Sequence, residues 1–262
     1  MGMVTVSAQF KSALAPGLPS DHFAGQSYPR GVSALEERPP AVLTTLRTYY
    51  DQLFAAYGPQ HWWPGRTRFE IIVGAILVQH TAWTNVEPAI ANLRRAKLLT
   101  AVAVEAVPFP KLARLIRSSG YFRQKAKGLK AFVRFLRNEY QGSLTRMFRT
   151  PTVQLREQLL GVHGIGPETA DAILLYAGEH PVFVVDAYAR RILERHQLAE
   201  PRHGYEYLRQ LFECNLPADA ALYNELHALI VHAGKRFCRA KNPRCSECAL
   251  HSLLPGKSAA SG

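Results

Sequence analysis

The chain has 262 residues, 47% of them hydrophobic, and its 32 lysines and arginines exceed its 20 aspartates and glutamates, so that its net charge is +12. This length supports a sizeable core in one or two domains, and the lack of about 20 consecutive apolar residues argues against a membrane span. The excess of positive charge favours nucleic acid as the partner, and the alternative is a basic soluble enzyme of another kind.

The two ends of the chain differ from the rest in composition. Residues 1–42 contain five prolines, scattered glycine and serine, and little periodicity, which predicts a disordered extension. This segment has no basic stretch followed by an apolar core, so no secretion signal is predicted. The residues after Pro255 are small and polar, and 256–262 are expected to form a flexible tail.

Between these ends the hydrophobic pattern is helical from about Val42 onwards. Separators such as Pro59, Gly120, Gly142 and Pro151 divide it into segments. The short apolar run 182–185 fits an extended link as well as a strand. The pattern therefore predicts an all-α protein. Further helices are predicted over 69–80, 85–97, 109–118, 122–139, 152–160, 167–178, 186–195, 203–213 and 219–236.

The stretch LLGVHGIGPETADAILL at 159–175 places a glycine turn directly before a helix. Gly164 and Gly166 permit backbone angles that other residues resist. A helix that begins near Pro167 adds unsatisfied N–H groups and the positive end of its dipole. Together they predict a socket for a phosphate of a DNA backbone. A plain helical hairpin without a ligand is the alternative.

The stretch VVDAYARR at 184–191 places Asp186 at the start of the next helix. An aspartate in this position is often only an N-cap. Together with LxGVxGIGxxxAxxIL upstream, it resembles the helix-hairpin-helix DNA glycosylases of the endonuclease III superfamily, in which an aspartate at this interval faces the flipped nucleotide. The resemblance covers roughly residues 60–250 and implies that Asp186 is the catalytic residue.

The resemblance also implies an all-α, two-lobed fold. A six-helix barrel lobe that includes the hairpin would span 60–180, and both termini, 43–59 and 181–255, would form the second lobe. A monomer would bind double-stranded DNA across the cleft between them. It would flip the damaged nucleotide into that cleft, because the glycosidic carbon is unreachable inside a stacked duplex.

Several DNA contacts follow from the same resemblance. IIVGAILVQHTAW at 71–83 looks like the helix whose glutamine enters the duplex, which is Gln79 here, although an ordinary surface amide is the alternative. SGYFRQKAKGLKAF at 119–132 places Lys125 and Lys127 near the DNA backbone, although a solvated helix face is equally open. The hairpin residues Gly164, Ile165 and Gly166 complete the predicted DNA-binding set.

One departure from the superfamily pattern bears on the reaction. Members that also cut the strand carry a hairpin lysine that forms a Schiff base with the sugar. Here that position, two residues after the second hairpin glycine, holds Glu168, and a carboxylate cannot form an imine. Glu168 suits the positive end of its helix. The resemblance therefore implies a monofunctional enzyme that uses water as the nucleophile.

Two tryptophans narrow the expected substrate. HWWPGRTRFEIIVGAIL, with Trp62 and Trp63 ahead of its helix, looks most like the 3-methyladenine glycosylase branch. An alkylated purine carries positive charge, and an indole face attracts a cation by up to about 2 kcal/mol when it is desolvated. We therefore place Trp62, Trp63 and Glu168 in a predicted base pocket. The alternative is that both tryptophans belong to the core.

Three of the four cysteines lie close together, in CRAKNPRCSECALHSLL at 238–254. Such a cluster favours metal binding in a reducing cytosol over a disulfide framework. Cys238, Cys245 and Cys248 resemble the start of the family's iron–sulfur loop, C-x6-C-x2-C-x5-C, and imply a [4Fe-4S] cluster. The fourth position holds Leu254. Cys214 or His251 is a conceivable substitute, and a degenerate loop without metal is the alternative.

The expected function is that of a monofunctional base-excision-repair glycosylase for alkylated purines in duplex DNA, in the cytoplasm and associated with the nucleoid. Three rivals stay open. The first is an adenine or mismatch glycosylase, which would need an added general acid near Asp186. The second is a bifunctional glycosylase and lyase for oxidised pyrimidines, against which Glu168 argues. The third is a hairpin module that binds DNA without catalysis, which Asp186 disfavours.

Overall fold

The computed structural model describes residues 41–255, and every regular element in that range is helical. This confirms the predicted all-α class. The α-helices are Ala41–Tyr57 (α1), Arg68–Leu77 (α2), Trp83–Arg95 (α3), Ala101–Ala106 (α4), Phe109–Leu115 (α5), Phe122–Tyr140 (α6), Leu144–Met147 (α7), Thr152–Leu160 (α8), Pro167–Ala172 (α9), Ala187–Arg195 (α10), Tyr205–Glu213 (α11) and Ala220–Arg236 (α12). A π-helical segment, Ile173–Ala177, continues α9, and short 3₁₀ turns lie at Arg117–Ser119, Cys245–Glu247 and His251–Leu253.

Two short helices, α4 and α7, were not predicted. Each is too short to display a helical period in its apolar residues. Their start signals are N-caps: the hydroxyls of Thr100 and Ser143 accept hydrogen bonds from the backbone N–H groups of Ala103 and Arg146. The run 182–185 is extended and buried without forming a strand, as expected of a link.

The predicted ends of the chain fall largely outside the described residues. Ala41 and Val42 begin α1 rather than ending the predicted extension, and the remainder of 1–42 and the tail 256–262 are not described. None of the described helices is both long and apolar enough to cross a membrane. The assignment of 60–180 to one lobe, and of 43–59 and 181–255 to a second, stays a prediction.

The core is built around α2, which is buried along almost its whole length. Ile72, Val73, Ile76 and Leu77 have no accessible surface, and α2 packs against α3, α6 and the π segment. A helix that is apolar on nearly all sides suits this central place. The end of α2 therefore lies beside the glycine hairpin and the segment that follows α9.

A second close contact joins α12 to α10. A Cβ atom on Gly234 of α12 would come within 2.5 Å of the Tyr188 ring on α10, so only glycine permits this approach. Helix α1 packs on the same α12. As a result, α12 lies directly behind the beginning of α10, where Asp186 is found.

Candidate active site

The hairpin between α8 and α9 uses its two glycines differently. Gly164 has a φ of 83°, in the left-handed region that favours glycine, and an added Cβ atom would lie 3.3 Å from Cα of Gly128 on α6. Gly166 has a φ of −94°, which any residue adopts, and open space in front of it. The expectation of special backbone angles is therefore right for Gly164 and wrong for Gly166.

Ile165 is buried within the hairpin turn. Its side chain is only 5% exposed, and its backbone N–H donates to the carbonyl of Val162 at 3.0 Å. The prediction that Ile165 contacts DNA is corrected for this reason, because both its apolar surface and its donor are already occupied. Ile165 anchors the turn in the core, so that Gly166 and the start of α9 stay in the open.

Gln79, just beyond α2, is tied to the same hairpin. Its amide nitrogen donates to the carbonyl of Gly164 at 2.9 Å and to the hydroxyl of Thr169 at 2.8 Å. The structure therefore gives Gln79 the task of holding the hairpin against α2. Its insertion into the duplex stays a prediction.

The two lysines of α6 have different environments. Lys125 is 3% exposed, and its ammonium donates to the carbonyls of Leu77 and Ser119 at 2.9 and 2.5 Å. Burial lowers the pKa of Lys125 to about 8. The enclosed charge, with two of the three ammonium donors already bonded, argues against the predicted contact of Lys125 with the DNA backbone. Lys127 is exposed and lines a groove that reaches His163 at the hairpin, and its phosphate contact stays a prediction.

Asp186 precedes α10 as its N-cap, and its two carboxylate oxygens have different surroundings. Oδ1 accepts hydrogen bonds from the backbone N–H groups of Tyr188 and Ala189 at 2.9 and 2.8 Å. Oδ2 lies 3.8 Å from Nε2 of His227 on α12. The N-cap and the catalytic interpretation are thus compatible, because capping occupies Oδ1 and leaves Oδ2 for chemistry.

Glu168, in the first turn of α9, shares this site with Asp186. The residue as a whole is exposed, but protein surrounds much of its carboxyl group. Burial, and secondly the charge of Asp186, raise the pKa of Glu168 from 4.5 to about 7. A carboxyl group that can hold a proton near neutral pH therefore lies close enough to Asp186 to be affected by its charge, which suits acid–base chemistry.

The tryptophans lie in an aromatic cluster beside these carboxyl groups. Trp63 packs against Trp83 and Tyr176, with ring centroids 5.2 and 5.0 Å apart, and against Trp62 at 5.4 Å. Both Trp62 and Trp63 are half-buried. The ammonium of Lys235 lies 5.6 Å from the centroid of the Trp62 ring. The three aromatic contacts of Trp63 are those of a packing residue. The face of the Trp62 ring, in contrast, lies near the ammonium of Lys235, as in a cation–π interaction.

The sequence did not single out His227, Tyr176 or Lys235 for this site. His227 is 4% exposed, and its Nδ1 lies 2.5 Å from the hydroxyl of Tyr176. Both residues stand within apolar helical runs, where a lone histidine or tyrosine carries no spacing signal. Only the packing of α12 against the π segment brings them to Asp186.

Residues of the cysteine loop line a small cavity beyond the end of α12. Its lining includes Cys238, Cys245, Cys248, His251 and Leu254. Burial raises the pKa of the Cys248 thiol, and the charges of Cys238 and Cys245 act in the same direction, so the three sulfur atoms are neighbours. Within residues 41–255, however, no three Cys, His, Asp or Glu side chains stand in place to ligate one ion.

Two further observations complete the description of this cavity. The guanidinium of Arg195 donates to Sγ of Cys238 at 3.1 Å. Cys214 ends α11 as an exposed residue and does not line the cavity. Of the two substitutes considered for a fourth ligand, His251 is therefore the one that folding brings to the loop.

Comparison with known proteins gives one consistent result. Residues 73–218 match the family described as HhH-GPD superfamily base excision DNA repair protein. One relative is a protein of Methanocaldococcus jannaschii that carries the provisional name of a DNA repair glycosylase. It is 45% identical over 210 residues, which are 79% of this chain and 94% of that protein. Endonuclease III of Thermotoga maritima is 31% identical over 185 residues, 70% of this chain and 80% of that protein.

Solved structures agree with the sequence relatives. A 3-methyladenine DNA glycosylase of H. pylori bound to 1,N6-ethenoadenine is 29% identical, with a TM-score of 0.65 over 74% of this chain and 97% of that chain. A trapped covalent complex of endonuclease III with DNA has a TM-score of 0.70 over 81% of this chain and 95% of that chain, and its 22% identity speaks for the fold alone. These similarities confirm the predicted helix-hairpin-helix glycosylase fold.

Proposed function

Because the chain belongs to the HhH-GPD superfamily of base excision DNA repair proteins, as a DNA repair glycosylase of the endonuclease III family, we propose that it removes alkylated purines from duplex DNA by hydrolysis, without efficient strand cleavage. We further propose that it acts as a monomer in the cytoplasm, in association with the nucleoid. The observation that carries the proposal is that Oδ1 of Asp186 caps α10 and fixes the side chain, while Oδ2 takes no part in the capping and lies 3.8 Å from Nε2 of His227.

The reaction needs charge stabilisation at the sugar. As the bond between C1′ and the base nitrogen breaks, its electron pair leaves with the base, and positive charge develops on the sugar ring. The carboxylate oxygen Oδ2 of Asp186 stabilises that charge. Loss of one preorganised electrostatic group of this kind raises a barrier by about 3–4 kcal/mol. An alkylated purine leaves as a neutral base and needs no added proton.

Attack by water completes the reaction, and Glu168 is the base that accepts a proton from this water. Water adds to C1′ and loses one proton, which an ionised Glu168 accepts. A pKa of about 7 leaves a large fraction of this carboxyl group ionised at neutral pH. The carboxylate also replaces the lysine that a Schiff-base mechanism would require at this position.

A second candidate function has one specific observation in its favour. A glycosylase for a neutral base, such as an adenine or mismatch enzyme, needs a general acid near Asp186 to protonate the leaving group. Glu168 with its raised pKa meets that requirement in its protonated form. Moreover, the ammonium of Lys235 over the Trp62 ring would repel a cationic base that stacked on that face. The 29% identity to the H. pylori 3-methyladenine glycosylase supports the first candidate.

A screen of duplexes that carry one defined lesion each tests the proposal. Free base and strand cleavage are scored separately, with 3-methyladenine and 7-methylguanine as cationic bases and ethenoadenine and mismatched bases as neutral ones. We expect release of the cationic bases, with nicks only after alkali. Asp186→Asn should abolish release while duplex binding persists. Release that is confined to neutral bases would replace the first candidate by the second, and near-normal turnover by folded Asp186→Asn would remove Asp186 from the mechanism.

Borohydride trapping tests the monofunctional part. We expect no covalent adduct with DNA, because the hairpin offers no lysine. Efficient trapping that disappears in Lys235→Gln would instead identify a lyase that uses the exposed lysine beside Trp62.

The tryptophans are tested by paired substitutions. If Trp62 stacks on an extruded base, Trp62→Ala should lower excision of cationic bases roughly 5- to 150-fold, from a stacking energy of about 1–3 kcal/mol, with little rescue by Trp62→Leu. Trp63 packs on Trp83 and Tyr176. Trp63→Ala should therefore lower the thermal stability of the protein, and Trp63→Leu should retain most of it. If excision by the Trp62 variants merely follows the folded fraction, Trp62 has no stacking role.

We also propose that the cysteine loop holds a [4Fe-4S] cluster through Cys238, Cys245, Cys248 and His251. The donor set fits in kind, because three neighbouring thiols and one imidazole line the same cavity. When bound, the cluster would cross-link the loop to the end of α12 and contribute to folding of that region. Arg195 would keep its hydrogen bond to the sulfur of Cys238.

Leu254 offers a sharp test of this proposal. Anaerobically purified protein should be brown and should contain iron, and Cys238→Ser should lose both properties. Leu254→Cys restores the four-cysteine pattern and should raise iron retention above that of the wild type. Colourless wild-type protein together with brown Leu254→Cys would mean that His251 is no ligand, and absence of iron in both would mean that the loop holds no cluster.

A further inference from the structure

A buried histidine lies directly behind the catalytic carboxylate. His227 on α12 is 4% exposed, its Nε2 is 3.8 Å from Oδ2 of Asp186, and its Nδ1 is 2.5 Å from the hydroxyl of Tyr176. Nε2 has no hydrogen-bond partner among the residues that the structure describes. A buried donor or acceptor without a partner destabilises the folded protein, so its presence beside Asp186 calls for an explanation.

The position of this nitrogen is specific. Oδ1 of Asp186 is saturated by two backbone N–H groups, and Oδ2 is the oxygen that remains for the sugar. Nε2 of His227 lies 3.8 Å from Oδ2. A side chain that only filled space would need no nitrogen at this point.

The charges around His227 determine which of its nitrogens carries the proton. Burial lowers the pKa of His227, the charge of Asp186 opposes this, and the ammonium of Lys235 acts with burial, so the imidazole is neutral at pH 7. Burial also raises the pKa of Tyr176 well above its ordinary value, so its phenol keeps its proton. A neutral imidazole has one N–H, and a carboxylate in front of Nε2 favours that N–H at Nε2.

The remaining contacts agree with this tautomer. With the proton at Nε2, Nδ1 is an acceptor, and the hydroxyl of Tyr176 is the donor that lies against it. The phenol has a single O–H, and donating it to Nδ1 leaves Nε2–H as the one donor of the neutral imidazole.

We propose that His227, oriented by Tyr176, is a positioning residue that donates its Nε2–H to Oδ2 of Asp186 and holds this oxygen aimed at the sugar when a nucleotide is extruded; this rests on the proposed base excision. The 3.8 Å separation in the free protein is longer than a hydrogen bond. Catalytic hydrogen bonds are often long in free enzymes and shorten in the substrate complex.

Amide substitutions separate this role from simple packing. His227→Gln can place an N–H near the position of Nε2, whereas the shorter His227→Asn can replace only Nδ1. We expect His227→Asn to lower the single-turnover rate of base release about 10- to 100-fold, the scale expected for a displaced catalytic group. His227→Gln should recover a large part of that loss. His180→Gln, at a buried histidine that lies against Thr152 and Phe148, is the matched control and should lower only thermal stability.

A second measurement reports on the charge of Oδ2 without chemistry. Duplexes with a cationic pyrrolidine or a neutral tetrahydrofuran at the abasic position are compared by their dissociation constants. The preference for pyrrolidine should fall in His227→Asn, persist in His227→Gln, and be unaffected by His227→Asn when Asp186→Asn is already present. This non-additivity is the expected sign of two residues that act as one unit.

The outcomes are distinguishable. One outcome is that the rates of base release by His227→Asn and His227→Gln both decrease in proportion to the folded fraction, with an unchanged preference for pyrrolidine. In that case His227 is a packing residue and the proposal is overturned. Wild-type rates in both variants overturn it as well. If the wild-type protein releases no base from any duplex but its pyrrolidine preference still depends on His227, the proposed function fails while the positioning of Asp186 stands.

Discussion

The raised pKa of Glu168 gives the reaction a pH dependence whose sign depends on the substrate. The carboxyl group titrates at about 7 in the folded protein. From pH 6 to pH 8 its ionised fraction therefore rises from about 10% to about 90%. If the ionised form accepts a proton from water, single-turnover release of a cationic base should increase about tenfold over this interval. The phosphates of bound DNA would move the midpoint upwards, because they add negative charge.

A neutral base reverses the expectation. Its departure requires a proton, so the protonated form of Glu168 is the active one, and the rate should fall about tenfold over the same interval. The assay is base release under excess enzyme, measured from pH 5.5 to 8.5 on duplexes with 7-methylguanine and with ethenoadenine. Cationic and neutral bases are compared on one protein, which removes effects of pH on DNA binding that both substrates share.

Glu168→Gln is the decisive variant. Its profile should be flat between pH 6 and 8, at a level below the maximum of the wild type, whereas Glu157→Gln at an exposed position of α8 should keep the wild-type profile. A wild-type rate that does not change between pH 6 and 8, or an unchanged profile in Glu168→Gln, would refute the role of this carboxyl group in proton transfer.

The same titration affects folding, and the sign can be worked out. The folded-state pKa of Glu168 lies above its ordinary value of 4.5. Folding therefore favours the protonated carboxyl group, so the residue opposes folding once it is ionised. The penalty is absent below about pH 4.5 and complete above about pH 7. We expect Glu168→Gln to raise the Tm at pH 8 and to leave it unchanged at pH 4, by differential scanning fluorimetry.

Three further predictions concern the scaffold and the DNA contacts. Gly164→Ala should lower the free energy of unfolding by at least about 1–2 kcal/mol, from its φ of 83°, whereas Gly166→Ala should be nearly neutral in urea unfolding. Asp171→Leu should cost about 3 kcal/mol in the same assay, because it leaves Arg156 without its buried partner at 2.6 Å; a loss below about 1 kcal/mol would contradict this. Lys127→Met should reduce the slope of log binding constant against log salt by about 1, and an unchanged slope would place it off the DNA.

The different burial of the two lysines of α6 could be predicted from helix spacing. Lys125, Leu129, Phe132 and Leu136 recur at helix spacing, and the last three are buried. Lys125 therefore stands on the apolar stripe of the helix, while Lys127 lies about 200° away around the axis. Spacing alone predicts that one lysine is enclosed and the other exposed. The resemblance to a DNA-contacting segment outweighed this signal and gave both lysines the same role.

Asp186 and its proposed partner His227 differ in how a sequence can reveal them. Asp186 stands in the motif at 184–191, a short interval after the hairpin motif that begins at residue 159, so two neighbouring patterns together identify it. His227 is 41 positions away in the chain and acts, in our proposal, through one contact with Asp186 and one with Tyr176. Such a pairing is created by the approach of α12, which depends on Gly234. No periodicity of a single sequence encodes a meeting of three separate segments.

One phenol connects the two halves of the site. The hydroxyl of Tyr205 on α11 donates to Oδ2 of Asp171 on α9 at 2.9 Å, and it accepts from the backbone N–H of Val185 at 3.5 Å. Asp171 belongs to the helix that begins at the hairpin, and Val185 precedes Asp186. A buried ion pair at Asp171 adds little stability over apolar packing. What it does add is register: Tyr205 joins the helix that begins at the hairpin to the backbone that precedes Asp186, so the two parts of the proposed site are held in one fixed relation.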